Sequence, residues 1–345
     1  MEVPAVWRWW HGVVPVMVAA LLSVLAGCGG GGQDGGDELV IYSGRQEALV
    51  GPLIEQFEQQ TGVATSVRYG NTAQLAAQLL EEGERTPADV FFSQDAGALG
   101  ALDRASRLER LPQTALDAVP ARFRAEDGTW VGTSGRARVI VYDPRQISEQ
   151  DVPDSVFELT DPRWRGKVGI APSNASFEAF VTAMRVLRGD EVTRDWLAGM
   201  RANDAQSFAN NVLILNAVED GGVTLGLINH YYWYEQVAER GAAAVPTRLK
   251  FLPGGDPGAL VNVAGVGILG SSDQATQARQ FVEFLLNMPS QSYFAAETKE
   301  YPLVAGVAPV ADLPPLESLQ SPQIDLSDLD TLDRTLQMIQ GIGLT

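Results

Sequence analysis

From Glu38 onward the chain alternates short apolar runs that end in small polar residues with amphipathic stretches that follow them. ELVIYSG, residues 38 to 44, is β-rich and closes in Ser-Gly; ALVGPLIEQFEQQTG then carries Leu49, Leu53, Ile54 and Phe57 at helical spacing and stops at Gly62. VATSVRYG reads as a second strand ending at Tyr69-Gly70, and NTAQLAAQLLEEGE as a helix capped by Asn71 or Thr72 and ended by Gly83. ADVFFSQ is a third strand, followed by the helix-like AGALGALDRA. Strand and helix alternating at this spacing predict an α/β fold: a parallel sheet with crossover helices, whose ligands sit beyond the carboxyl ends of the strands. The positions to watch are therefore those just after each strand: residues 43 to 46, 69 to 72 and 93 to 95.

Two later runs, RARVIVYDP (136 to 144) and GALVNVAGVGILG (258 to 270), are longer and more apolar, and they bracket a second α/β region. Bracketing of this kind suggests two lobes joined by two crossing hinge strands, with a ligand cleft between them. The division expected is residues 38–138 plus 262–309 in one lobe and 139–261 plus 310–345 in the other. The tail reads as helical around DQATQARQFVEFLLNMPSQSYFAAE, then proline-rich, then helical again in DLDTLDRTLQMIQGIG. No internal repeat is present.

The N-terminus reads as a targeting segment. Its apolar run from Val13 to Ala26 is shorter than the roughly 20 residues a spanning helix needs, so residues 1–27 are expected to be a secretory signal. Leu25-Ala26-Gly27-Cys28 resembles a lipoprotein cleavage box, which would put a lipid on Cys28, and residues 28–37 form a glycine-rich tether. The protein is then extracytoplasmic and lipid-anchored to the cell membrane, touching it through Cys28 alone. Cys28 is the only cysteine, so neither a disulfide framework nor a thiolate metal site is available. A formal charge of -18 argues against nucleic acid as a partner.

Little catalytic chemistry is left. Only His230 remains once the signal is removed; there is no GxSxG, no phosphate loop, and a conventional zinc site lacks its Cys and His donors. Paired carboxylates, as in LEEGE or EDGG, fall at turns or on solvated helix faces. The inventory favours binding over turnover, and the protein is expected not to be an enzyme.

One stretch stands out: INHYYWYE, residues 228 to 235, between the strand-like LGLIN and the helix-like WYEQVAER. Neighbouring residues on a regular helix point about 100° apart, so Tyr231 and Tyr232 reach one point only from a loop or a first helical turn. Phenols with a pKa near ~10 are poor ligands for most ions, but a hard trivalent cation, ferric iron above all, can displace their protons. The same pair would serve equally as an aromatic cluster packing an inter-lobe surface or stacking a sugar, and composition alone favours that use.

LVIYSGR, LIEQFEQQTG, TPADVFFSQDAGAL, SGRARVIVYD, WRGKVGI, NAVEDGGVTLGLINHYYWYE, DPGALVN and EYPLV together resemble the ferric-ion-binding proteins of bacterial iron(III) ABC transporters, from Glu38 to about Leu303. The resemblance implies a type II periplasmic-binding-protein fold, with Fe(III) as cargo and an ABC permease and its ATPase as partners, the protein itself a monomer. It also implies that Tyr231 and Tyr232 are phenolate ligands. The histidine and glutamate that other members place after the first and third strands are Gln46 and Gln94 in this sequence, so their six-coordinate site is not copied, and the two amides are expected to touch the anion or to stand behind the ligands. Charge balance then calls for a third phenolate, for which Tyr69 is the candidate, or for an anion such as carbonate or phosphate. Asn174, Ala175, Ser176, Asn211 and Asn229 fall at the family's anion-binding positions, and Arg45 is placed to help or to form a surface ion pair. For Arg136 and Arg138, on the first crossing strand, salt bridging across the hinge is expected. A different cargo on the same fold, such as a phosphonate, a polyamine or a sugar phosphate, is the alternative reading.

Overall fold

The computed structural model describes residues 38–344, so the signal segment, the tether and Cys28 lie outside the described residues. Ten strands run in chain order as β1 Leu39–Ser43, β2 Thr65–Tyr69, β3 Val90–Ser93, β4 Trp130–Tyr142, β5 Val168–Ile170, β6 Gln206–Ser207, β7 Leu225–Asn229, β8 Arg248–Lys250, β9 Val261–Ile268 and β10 Tyr301–Pro302. The helices are α1 Glu47–Thr61, α2 Thr72–Glu82, α3 Ala96–Arg104, α4 Gln113–Asp117, α5 Ala175–Arg188, α6 Asp190–Ala202, α7 Asn211–Glu219, α8 Tyr231–Arg240, α9 Ala275–Leu285, α10 Met288–Ala296 and α11 Leu332–Ile342. Asn71 rather than Thr72 caps α2, its side chain accepting from the Ala73 and Gln74 amides. Gly62 ends α1 with a φ of 73°, a left-handed conformation that glycine adopts without a Cβ clash.

The strands lie in the order β2-β1-β3-β9-β4-β7-β5-β6. β1 is parallel to β2 and β3, as the early alternation predicts. β4 is the strand that both halves of the sheet share. Its residues Trp130 to Ala137 pair antiparallel with β9, and Arg138 to Tyr142 pair antiparallel with β7, which is parallel to β5. All 13 residues of β4 are buried. The sequence pattern showed only its second half, because Gly132, Thr133, Ser134 and Gly135 break the apolar run. Space dictates that break. A Cβ on Gly135 would meet Leu303 and Tyr301 at 3.2 Å, where β10 pairs with β4. The second crossing comes through the turn at Pro257–Ala259, from which the chain enters β9.

Burial divides among three apolar clusters. The first joins β1, β3, β9 and the start of β4 with Leu53 and Phe57 of α1 and Phe281 and Phe284 of α9. The second gathers Ile140, Tyr142, Phe177, Phe180 and Trp196, and the third Val139, Val141, Ile214 and Ile228. Successive residues of β4 thus feed opposite faces of the sheet, as the two-residue period of a strand requires. Leu313, Leu316, Leu326 and Leu329 of the tail pack in the first cluster, and Met338 and Ile339 of α11 in the second. The turn Leu326–Asp330 lies so close to α3 that a Cβ on Gly97 or Gly100 would strike the carbonyl oxygens of Leu329 or Ser327.

Candidate metal and anion site

The point where β4 passes from β9 to β7 is the centre of the site. Ala137 is the last residue paired with β9 and Arg138, opposite Asn229, the first paired with β7. One residue past Asn229 the chain turns into α8, and Tyr231 and Tyr232 are its first two residues. That first turn brings the two rings together, with centroids 4.2 Å apart and planes inclined by 32°. Tyr231 is 7% exposed yet belongs to none of the three apolar clusters. Burial, more than any neighbour, pushes both phenols above their ordinary pKa, Tyr231 well above it. The nearby Arg136 cation pulls both back down.

His230 holds this turn in place and is spent in doing so. Its Nδ1 accepts from the Ala137 amide at 3.1 Å and its Nε2 faces the Lys299 carbonyl at 3.0 Å, which fixes a neutral ring with the proton on Nε2. Burial lowers its pKa to about 4. Among the described residues no group of three or more His, Cys, Asp or Glu side chains is placed to hold a metal ion. A metal at this position would depend on the phenols.

Beneath the pair lie three buried guanidiniums and one buried carboxylate. Glu300 takes Arg45 in two hydrogen bonds of 2.9 and 2.8 Å, accepts from Ser134 Oγ at 2.8 Å and Thr298 Oγ1 at 3.0 Å, and lies 3.9 Å from Arg136 Nε. Burial alone would raise its pKa, but Arg45, Arg136 and the Ser134 hydroxyl together outweigh it and the carboxylate falls to about 2. Arg136 also donates to the Gln94 carbonyl. Arg138 has no acid partner among the described residues: Nη1 donates to Ser176 Oγ at 3.3 Å and Asn229 Oδ1 at 3.2 Å, while Nε and Nη2 are buried without an acceptor among them. Its planar group lies over Phe180, 5.2 Å from the ring centre, and burial lowers its pKa to about 9. Salt bridging, expected for both strand arginines, is therefore found for Arg136 alone.

Asn174, Ser176, Asn211 and Asn229 converge on Arg138. Asn174 caps α5, accepting from the Ser176 amide at 3.0 Å, and Asn211 Nδ2 donates to Asn174 Oδ1 at 3.2 Å and Ser176 Oγ at 3.3 Å. Ala175 is the exposed first residue of α5.

Tyr69 lies on the sheet's edge strand, and its hydroxyl sits over α1, 3.7 Å from where a Gly51 Cβ would be, with Glu47 and Glu55 as the charges acting on it. Arg45 is neither a free anion ligand nor a surface ion pair, since it is 1% exposed and committed to Glu300. Gln46 is the exposed N-cap of α1, without a side-chain cap bond, whereas Gln94 does enter the network through Arg45 Nη1 at 3.0 Å. Sequence reasoning missed Glu300, whose only signal was its place in EYPLV, and it passed over His230 as a structural lock.

Residues 85–325 match the family described as bacterial extracellular solute-binding protein. The chain belongs to this family. Like its other members, it works outside the cytoplasm as a solute carrier. It is 36% identical over 271 residues to the major ferric iron-binding protein of Neisseria meningitidis serogroup B, covering 77% of this chain and 81% of that one. The crystal structure of iron-bound HitA from Pseudomonas aeruginosa superposes with a TM-score of 0.82 at 35% identity, over 89% of this chain and 99% of the other. The Trichodesmium protein IdiA (FutA), in complex with iron and citrate ligands, superposes with a TM-score of 0.78 at 26% identity, covering 89% of this chain and 100% of the other. The fold is that of the type II periplasmic-binding proteins, with its mixed sheet and flanking helices.

Proposed function

We propose that this protein captures ferric iron at the β4 switch point, with Tyr231 and Tyr232 as phenolates and an oxyanion completing the coordination. The observation that carries the reading is a buried phenol, Tyr231, stacked with the half-buried phenol of Tyr232, where the described residues offer no acid or histidine cluster, beside the guanidinium of Arg138 with its two unpaired nitrogens. Two phenolates leave Fe(III) with one positive charge, which an anion such as carbonate or phosphate neutralises. Asn174, Ala175, Ser176, Asn211 and Asn229 form the anion's cradle, with Arg138 supplying charge. The anion is held at the start of α5, where backbone amides and the helix dipole favour negative charge. The names of the Neisseria and Pseudomonas proteins support iron as the cargo.

Desolvation keeps both phenols protonated until the cation arrives, so uptake releases their protons. Residues 38–138 plus 262–309 and residues 139–261 plus 310–345 act as two lobes that close about the crossing strands. The loaded form passes iron to an ABC permease driven by its ATPase, and the lipid on Cys28 keeps the monomeric carrier at the membrane. Iron content after equilibrium dialysis against a competing ferric chelator tests the reading. One ferric ion per chain is expected, and its loss on Tyr231→Phe plus Tyr232→Phe. Tight binding of a phosphonate, polyamine or sugar phosphate with no iron retained would replace this reading by the metal-free alternative.

A further inference from the structure

Two buried groups at the start of α5 lack partners, and they are of opposite kinds. Arg138, 3% exposed, offers Nε and Nη2 without an acceptor, and Asn211, 0% exposed, offers Oδ1 without a donor. Their side chains meet at a single atom, Ser176 Oγ, which lies 3.3 Å from Arg138 Nη1 and 3.3 Å from Asn211 Nδ2. The backbone fixes the orientation of the Asn211 amide. Asn174 Oδ1 accepts from the Ser176 amide at 3.0 Å, so it is an acceptor, and the Asn211 atom facing it at 3.2 Å has to be the nitrogen. What remains without a partner is an acceptor oxygen.

An unpaired guanidinium edge calls for a negatively charged oxygen, and an unpaired amide oxygen calls for a hydrogen-bond donor. A fully deprotonated oxyanion satisfies the first and sets lone pair against lone pair at the second. We propose that the anion taken up here retains a hydroxyl, which donates to Asn211 Oδ1 while the charged oxygens accept from Arg138. Hydrogen phosphate, hydrogen carbonate and hydroxycarboxylates such as citrate have this chemistry; sulfate, a tetrahedron of phosphate's size, does not. The proposal rests on the reading of the site as an iron and anion site, and adds the selection of the anion by its proton.

The test is calorimetric titration of the purified protein with inorganic phosphate, bicarbonate, citrate and sulfate at neutral pH, without iron and with one equivalent of Fe(III). Hydroxyl-bearing anions bind more tightly than sulfate by about tenfold to a hundredfold, the cost of one buried acceptor left unpaired. The tightest of the three names the source. Asn211→Leu brings the phosphate-to-sulfate ratio down toward one, whereas Arg138→Gln weakens both anions and keeps their ratio. Sulfate binding as tightly as phosphate, an Asn211→Leu ratio equal to the wild type's, or no binding of any anion in either state overturns the proposal. Iron content of the same samples separates the two failures: iron retained without anion preference sinks this inference alone, and iron lost sinks the reading beneath it.

Discussion

Replacing Glu300 with glutamine removes the buried carboxylate that pairs with Arg45 and faces Arg136. The carboxylate is fully buried and held by Arg45 on both oxygens, by Ser134 and by Thr298. Its pKa falls from 4.5 to about 2, which corresponds to about 3 kcal/mol of stability. Breaking a buried ion pair from one side independently costs about 3 to 5 kcal/mol, because the partner charge stays behind. Urea unfolding of the iron-free protein at neutral pH should therefore show Glu300→Gln less stable by about 3 kcal/mol or more. The sign with pH follows from a folded pKa below the unfolded one. The contribution is complete above 4.5 and is lost as pH falls through about 2, so the variant should lack the wild type's decline across that window. Arg45→Met with Glu300→Leu, removing both charges, should recover most of the loss. A loss under about 1 kcal/mol in the single variant, the size of an exposed pair, would refute the reasoning.

Other perturbations separate the positioning of the phenols from the chemistry they do. His230→Phe leaves the Ala137 amide and Lys299 carbonyl unpaired and should cost about 3 kcal/mol in urea unfolding, with His230→Gln, which can accept from one and donate to the other, recovering part. Tyr69→Phe should leave iron affinity by chelator competition unchanged, and a loss of iron would return Tyr69 to the site. Gly97→Ala drives a methyl into the Leu329 carbonyl and should lower stability by about 1 to 3 kcal/mol in thermal melts, with earlier proteolysis of the tail.

The β1 to α3 alternation was legible because each strand is short, apolar and closed by a turn residue, so the local pattern carried the topology. The first half of β4 was not, since the glycines and hydroxyls that let β10 close over it erase the strand signature. Tyr231 and Tyr232 were visible from their position at a strand-helix junction, which depends only on neighbours in sequence. Tyr69 was a candidate for the same reason: it too ends a strand, but which strand ends face one another is a matter of sheet order, and β2 lies at the edge. Arg138 and Glu300 were hidden because their meaning lies in who is absent. Salt bridging was the expectation for Arg138, whereas Arg45, 255 positions from Glu300, takes that carboxylate and two nitrogens of Arg138 stay without an acceptor.

The central claim is that two phenol oxygens bind the cation, and iron content alone does not show which atoms hold it. Visible absorption of the purified protein, stripped and reloaded with ferric citrate in bicarbonate buffer, reports that bond directly. A broad phenolate-to-iron charge-transfer band, absent from the Tyr231→Phe plus Tyr232→Phe variant, is the predicted result. A folded wild type that takes up no colour, or a double variant that keeps the band, would contradict the account.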